Sequence, residues 1–241
     1  MWTERTEMLF GKEGLGRLRT AKVLVAGAGG VGTAAAEMLV RAGIGNLAVV
    51  DNDAVSETNI NRQLIALRST LDRPKCEVLG ERLLDINPEL RLIRVQEYLT
   101  EENIPSVLHS LPWTPDFVVD AIDTLSPKIA LIQNCLQKGL PLVSAMGAGA
   151  KTDATKVRIA DISKTRVCPL AHMLRKRLHK LGIREGFTAV FSEEEPRRES
   201  ITLEESRNKK SQVGTVSYMP AVFGCVCAQA VIDGIVKSPE K

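Results

Sequence analysis

Apolar residues recur along this chain with two different periods. Lys22-Val23-Leu24-Val25-Ala26 is a short apolar run, the pattern of a strand buried on both faces. Asn46 to Val50 repeats it and ends at Asp51. Leu92 to Val95, Phe117-Val118-Val119-Asp120-Ala121 and Pro141 to Ser144 follow. Between these runs the spacing turns helical, over Thr33 to Ala42, 75–86, 100–110 and Pro127 to Lys138. Asn87-Pro88 stops the second of these, and proline opens the last. Before the first strand, residues 1–20 space Leu9, Phe10, Leu15 and Leu18 for one helical face. Strands alternating with helices predict right-handed crossovers. The fold class is therefore α/β, a Rossmann-like, mostly parallel sheet with helices on both faces.

The pattern changes after residue 150. Val157-Arg158-Ile159-Ala160 reads as a strand, 169–181 as a basic helix, and Ala221 to Val236 as a largely apolar helix that docks on the core. Residues 192–212 mix Glu with Arg and Lys, show little periodicity, and read as a long mobile loop. The expected organisation is one nucleotide-binding unit over 1–150 and a C-terminal extension over 151–241 packed on the same core.

Composition narrows this picture without redrawing it. With 44% hydrophobic and 25% charged residues, the 241-residue chain is globular rather than disordered. Aromatics at 4% argue against a stacking platform for single-stranded nucleic acid. A net charge of +3 is too mild to imply a nucleic-acid partner, so that case rests on where the basic residues sit. The charged start, Met1-Trp2-Thr3-Glu4-Arg5, does not resemble a secretory signal, and no stretch approaches the roughly 18 apolar residues of a membrane span. A cytoplasmic protein without a membrane partner is expected. Cys76, Cys135, Cys168, Cys225 and Cys227 are odd in number and scattered, so reduced thiols are expected. No C-x-x-C pair is present for zinc. Cys225 and Cys227 read as buried thiols, and Cys168, close to Arg166, as a candidate reactive one.

The chemistry begins where the first strand ends, at Gly27-Ala28-Gly29-Gly30-Val31-Gly32. G-x-G-G-x-G at a strand-to-helix turn lets backbone approach a pyrophosphate at a helix N-terminus. Gly27, Gly29, Gly30 and Gly32 are the phosphate-loop candidates. Asp51, at the end of the second strand, stands where a carboxylate accepts hydrogen bonds from ribose hydroxyls. These features alone leave NAD and ATP open.

The next segment favours ATP. It reads Asp51-Asn52-Asp53-Ala54-Val55-Ser56-Glu57-Thr58-Asn59-Ile60-Asn61-Arg62-Gln63, followed by Arg73-Pro74-Lys75. Nucleotidyl transfer builds negative charge on the α-phosphoryl group and the leaving pyrophosphate, so fixed cations belong beside them. Arg62 and Lys75 suit that role, and an NAD enzyme has no need of such a run. Asp120-Ala121-Ile122-Asp123-Thr124 then places carboxylates at another strand end, where Asp123 is the candidate Mg²⁺ residue.

These motifs resemble the ubiquitin-activating-like adenylating enzymes, including the molybdopterin- and thiamine-biosynthesis adenylyltransferases, across roughly residues 5–150. The resemblance implies ATP and Mg²⁺ as cofactors. It assigns phosphate binding to Gly29, the ribose to Asp51, and the ATP site to Asp53, Thr58, Asn59, Asn61 and Arg62. Lys75 is to reach the phosphates, and Asp123 with Thr124 to close the site near Mg²⁺. It also implies a homodimer in which Arg5, in Glu4-Arg5-Thr6-Glu7, completes the partner's site. Arg5, Arg62, Lys75 and Asp123 are the expected catalytic set.

The second half is similar to the tRNA threonylcarbamoyladenosine dehydratases. The matching stretches include Ile86-Asn87-Pro88, Gly147-Ala148-Gly149, Asp161-Ile162-Ser163-Lys164-Thr165 and Val190-Phe191-Ser192-Glu193-Glu194. Cys168 departs from that pattern, which carries an acidic residue before Pro169. The implied reaction adenylates the carboxylate of the threonylcarbamoyl group on a tRNA adenosine; loss of AMP then closes the side chain into a ring. The implied partners are tRNA and, among proteins, sulfur-transfer components. The alternative is a sulfur-carrier or ubiquitin-like protein adenylyltransferase, which in this superfamily holds zinc with two C-x-x-C pairs. On the basic helix, Arg175, Lys176, Arg177 and Lys180 form either a tRNA contact or a solvated face.

Overall fold

The computed structural model describes residues 1–203 and 211–237. Its main sheet has seven strands: β1 (Lys22–Ala26), β2 (Asn46–Val50), β3 (Arg91–Val95), β4 (Phe117–Asp120), β5 (Leu142–Ala145), β6 (Val157–Asp161) and β7 (Thr188–Ser192). Their order is β3-β2-β1-β4-β5-β7-β6. All neighbours are parallel except β6, which pairs antiparallel with β7 at the edge. The direction of winding reverses between β1 and β4. In an open parallel sheet, that switch point opens a crevice at the carboxyl ends of the strands.

Strand register shows why both faces carry helices. Val23, Val25, Leu47 and Val49 enter one core cluster, while Leu24, Ala26, Ala48 and Val50 enter the other. This is the period-two alternation of a strand buried on both sides. Helices α2 (Gly30–Ala42), α3 (Lys75–Ile86) and α7 (Tyr218–Lys237) cover the first face. Helices α4 (Ile104–Ser110), α5 (Leu125–Gln137) and α6 (Pro169–Lys180) cover the second.

The C-terminal part continues this layer structure. β7 and β6 extend the same sheet. α7 buries Met219, Phe223, Cys227, Val231 and Ile235, a stripe with a four-residue spacing. It crosses α2 at Gly224, where an added Cβ would lie 2.4 Å from the Val31 carbonyl oxygen and 2.6 Å from Ala34 Cβ. Backbone contact this close admits only glycine. Among the described residues, α7 alone is long and apolar enough to cross a membrane, with a mean hydropathy of 1.8. That departs from the expectation that no stretch comes near the test. Here the apolar stripe is spent on the core.

Three sequence expectations change. Helix α1 (Glu4–Thr20) is kinked at Gly11, where φ is 73°, so the predicted apolar face is split. Leu15 and Leu18 are buried while Leu9 is 75% exposed. β7 went unread although it is as long as β1 and β2; its place in the sheet comes from pairing with β5 and β6. The segment read as one loop carries an antiparallel ribbon, β8 (Ile201–Leu203) with β9 (Ser211–Val213). Residues 204–210 lie outside the described residues.

Candidate active site

The glycine loop is shaped by close approach. Gly27 has φ 99°, and an added Cβ would stand 2.9 Å from the Ala121 carbonyl oxygen. At Gly32 the Cβ would lie 1.7 Å from the Gly27 carbonyl oxygen. The first turn of α2 thus folds directly over the loop. Gly30 abuts the Arg62 carbonyl and the Pro220 ring. A Cβ added at Gly29 would meet nothing within 4 Å, so the loop is open on that side. The unbonded N–H groups and positive dipole end of α2 face this opening and favour an anion.

Asp51 is wired to the same loop. One carboxylate oxygen accepts the Ala28 N–H at 2.6 Å, the other the Asp53 N–H at 2.8 Å. Burial pushes its carboxyl above the ordinary range, and the charge of Lys75 with these two N–H donors offsets only part of that. Lys75 is buried, and its ammonium is 2.8 Å from the Asp53 carboxylate. Asp53, expected as a nucleotide residue, is an ion-pair partner of this lysine.

The polar run after Asp53 mostly holds itself in shape. Asn59 is buried and its Oδ1 accepts the Ser56 N–H at 3.1 Å, which closes the turn. Thr58 Oγ1 sits 3.0 Å from Ser56 Oγ, and the Thr58 carbonyl accepts from Arg62 Nη1 at 2.8 Å. Asn61 also accepts from Arg62 Nη1 at 2.8 Å and donates to the Thr215 carbonyl at 2.9 Å. These asparagines and Thr58 serve turn geometry and the orientation of Arg62.

The two carboxylates at the end of β4 separate cleanly. Asp120 is fully buried; it accepts from Lys128 Nζ at 2.7 Å, Ser144 Oγ at 2.6 Å and the Ile122 N–H at 3.1 Å. Lys128 also donates to the Ile122 carbonyl at 2.9 Å, so it fixes the turn that carries Asp123. Asp123 is exposed at the mouth, with Thr124 as the N-cap residue of α5. Lys128 is a residue that sequence reading missed. The available signal was a lysine in the otherwise apolar run Pro127 to Ile132.

Arg5 is not brought to the site of its own chain. It is exposed on α1, two residues after Thr3, whose methyl group packs at Gly43, the C-cap of α2. The phosphate loop lies at the opposite end of that helix, about 20 Å away at 1.5 Å per residue.

On α6, Lys176, Arg177 and Lys180 are exposed, while Arg175 is half-buried and donates to Thr165 Oγ1. Burial pushes the thiols of Cys76, Cys135 and Cys227 up to about 12, which makes them poor nucleophiles. Cys168 is buried against Gly147. Cys225, expected to be buried, lies on the outer face of α7 and is exposed.

Switch-point crevice, glycine loop, ribose carboxylate and paired cations together define a mononucleotide-binding α/β protein. The chain matches the ThiF family over residues 3–241 and belongs to it. It is 40% identical to the tRNA threonylcarbamoyladenosine dehydratase of Bacillus subtilis (strain 168), over 98% of this chain and 95% of that protein. A solved structure of the E. coli tRNA N6-threonylcarbamoyladenosine dehydratase in complex with ATP superposes with a TM-score of 0.87 at 35% identity. It covers 96% of this chain and 92% of that one. The same enzyme in complex with AMP gives 0.86 at 35% identity, over 96% and 92%.

Proposed function

We propose that this protein uses ATP to adenylate the carboxylate of the threonylcarbamoyl group on a tRNA adenosine and then closes the side chain into a ring. One observation carries the reading: three functional segments each touch a different residue of one glycine loop. Asp51 bonds Ala28, the Arg62 backbone abuts Gly30, and the turn before Asp123 abuts Gly27. The site therefore presents a ribose acceptor, a cation and a carboxylate around one open phosphate cradle.

The residues fit ATP with Mg²⁺. Asp120 is buried against Lys128, Ser144 and a backbone N–H, whereas Asp53 is exposed and meets Lys75 through one oxygen. Asp123 is the exposed carboxylate at the strand end, and Mg²⁺ commonly takes one or two carboxylates with phosphate oxygens and water. Bound there, the ion neutralises charge on the phosphates. Arg62 and Lys75 stabilise the charge that develops as the substrate carboxylate attacks the α-phosphorus and pyrophosphate leaves. A nitrogen of the same modification then attacks the activated acyl carbon, and AMP departs. No enzyme thiol is required.

α6 offers Lys176, Arg177 and Lys180 to tRNA backbone phosphates. A homodimer supplies the missing cation. Met1, Trp2, Met8 and Leu9 are exposed by 81%, 52%, 81% and 75% around Arg5, an apolar surface suited to a second subunit. Adenylation of a sulfur-carrier or ubiquitin-like protein is the less favoured reading, because the sequence holds no C-x-x-C pair. The test is mass spectrometry of nucleosides from modified tRNA incubated with protein and ATP-Mg²⁺. Loss of one water from the threonylcarbamoyl nucleoside is expected; an unchanged nucleoside rejects the reading.

A further inference from the structure

The segment between β9 and α7 runs across the carboxyl edge of the sheet and touches both sides of the cleft. The Gly214 carbonyl accepts the Ala150 N–H at 2.8 Å, beyond β5. Tyr218 Oη donates to the Thr152 carbonyl at 2.7 Å, and Pro220 packs against Gly30 of the phosphate loop. Thr215, midway, is joined to the nucleotide segment through a single side chain, that of Asn61.

The Asn61 amide is a bridge with a defined direction. A carbonyl only accepts and a guanidinium only donates, so Nδ2 must face Thr215 and Oδ1 must face Arg62. Arg62 Nη1 is held by this Oδ1 and by the Thr58 carbonyl. Among the described residues, Nε and Nη2 of Arg62 make no hydrogen bond to protein. We infer that Asn61 is a positioning residue that couples the 213–220 strap to the guanidinium of Arg62.

This inference rests on the reading of Arg62 as an ATP residue, and a double-mutant cycle separates the two. The variants are Asn61→Ala, Asn61→Asp, Arg62→Ala and Asn61→Ala/Arg62→Ala, assayed by AMP release with modified tRNA. Asn61→Ala should lower kcat about 10-fold, the scale of one hydrogen bond to a charged group. KM for ATP and the melting temperature should stay near wild type. Asn61→Asp keeps the acceptor for Arg62 but loses the donor to Thr215, so it should also lower kcat. In the Arg62→Ala background, Asn61→Ala should cost nothing further, because its route of action is gone. Additive losses would overturn the inference, as would wild-type kcat in Asn61→Asp. A wild-type protein that releases no AMP with modified tRNA instead strikes the proposed function. An Arg62→Ala variant of undiminished rate removes the arginine on which both depend.

Discussion

The two sides of the cleft are assembled by different means. On the nucleotide side the contacts are local. Asp51 reaches Ala28 and Lys75 reaches Asp53, each across one β-α unit, and Asn59 closes on Ser56 within a single turn. On the C-terminal side they are remote. Glu194 accepts the N–H groups of Thr152 and Asp153 at 2.9 Å and 2.7 Å, and Asn61 reaches Thr215 from more than half the chain away. The first side is built mainly within its own fold unit, with Pro220 packed on Gly30 from outside it. The second exists only when β7, α7 and the strap are docked.

The sharpest way to break this comparison uses the two carboxylates of one turn. Asp123→Ala should lower turnover about 10²–10³-fold, the scale of losing one preorganised charge contact, with little change in stability. Asp120→Ala strands the buried ammonium of Lys128 and should cost about 3–5 kcal/mol of stability. Denaturant melts and turnover measured on both variants decide this, and an Asp120→Ala protein of normal stability would unseat the division of labour.

Subunit mixing addresses Arg5. Arg5→Ala and Asp123→Ala proteins, each inactive, are exchanged with one another. If Arg5 acts across the interface, one site of each mixed dimer carries both defects and the other neither. Activity should then recover to about a quarter of wild type for random exchange in a two-fold dimer. No recovery despite verified exchange places Arg5 elsewhere.

A smaller effect is expected on α6. Charge reversal at Lys176, Arg177 and Lys180 should weaken tRNA binding and reduce the slope of log affinity against log salt by about 2–3. ATP affinity should not change. An unaltered slope returns the helix to a solvated face.

The smallest effect concerns pH. Burial holds the Asp51 carboxyl above its ordinary value, so its charged, accepting form is lost at a higher pH than for an exposed aspartate. ATP affinity should therefore begin to fall on acidification before ordinary aspartates titrate. Isothermal titration across the acid range checks this, and a flat profile contradicts it.

Much of the nucleotide side was readable in advance. β1, β2 and α3 lie where the apolar pattern put them, because a strand buried on both faces and an amphipathic helix write their burial into residue order. The glycines announced a close backbone approach, and the crowding at Gly27 and Gly32 gives the reason. What failed was of another kind. The kink at Gly11 split a face that looked continuous, the three-residue strands of the β8–β9 ribbon were too short to show a period, and β7 is placed by its pairing with β5 and β6.

The surroundings of individual polar residues were decided by the tertiary structure alone. The sequence marked Asp51 for the ribose, Asp53 for the nucleotide site and Asp123 for Mg²⁺, and gave Asp120 no role. The fold buries Asp120 against Lys128, pairs Asp53 with Lys75, and leaves Asp123 at the mouth. A carboxylate's task depends on its desolvation and on which donors stand within about 3 Å of it, and those are set by contacts between distant segments. The order of apolar residues determined the sheet and its helices; only the folded contacts decided which charges are buried in ion pairs and which stand at the mouth.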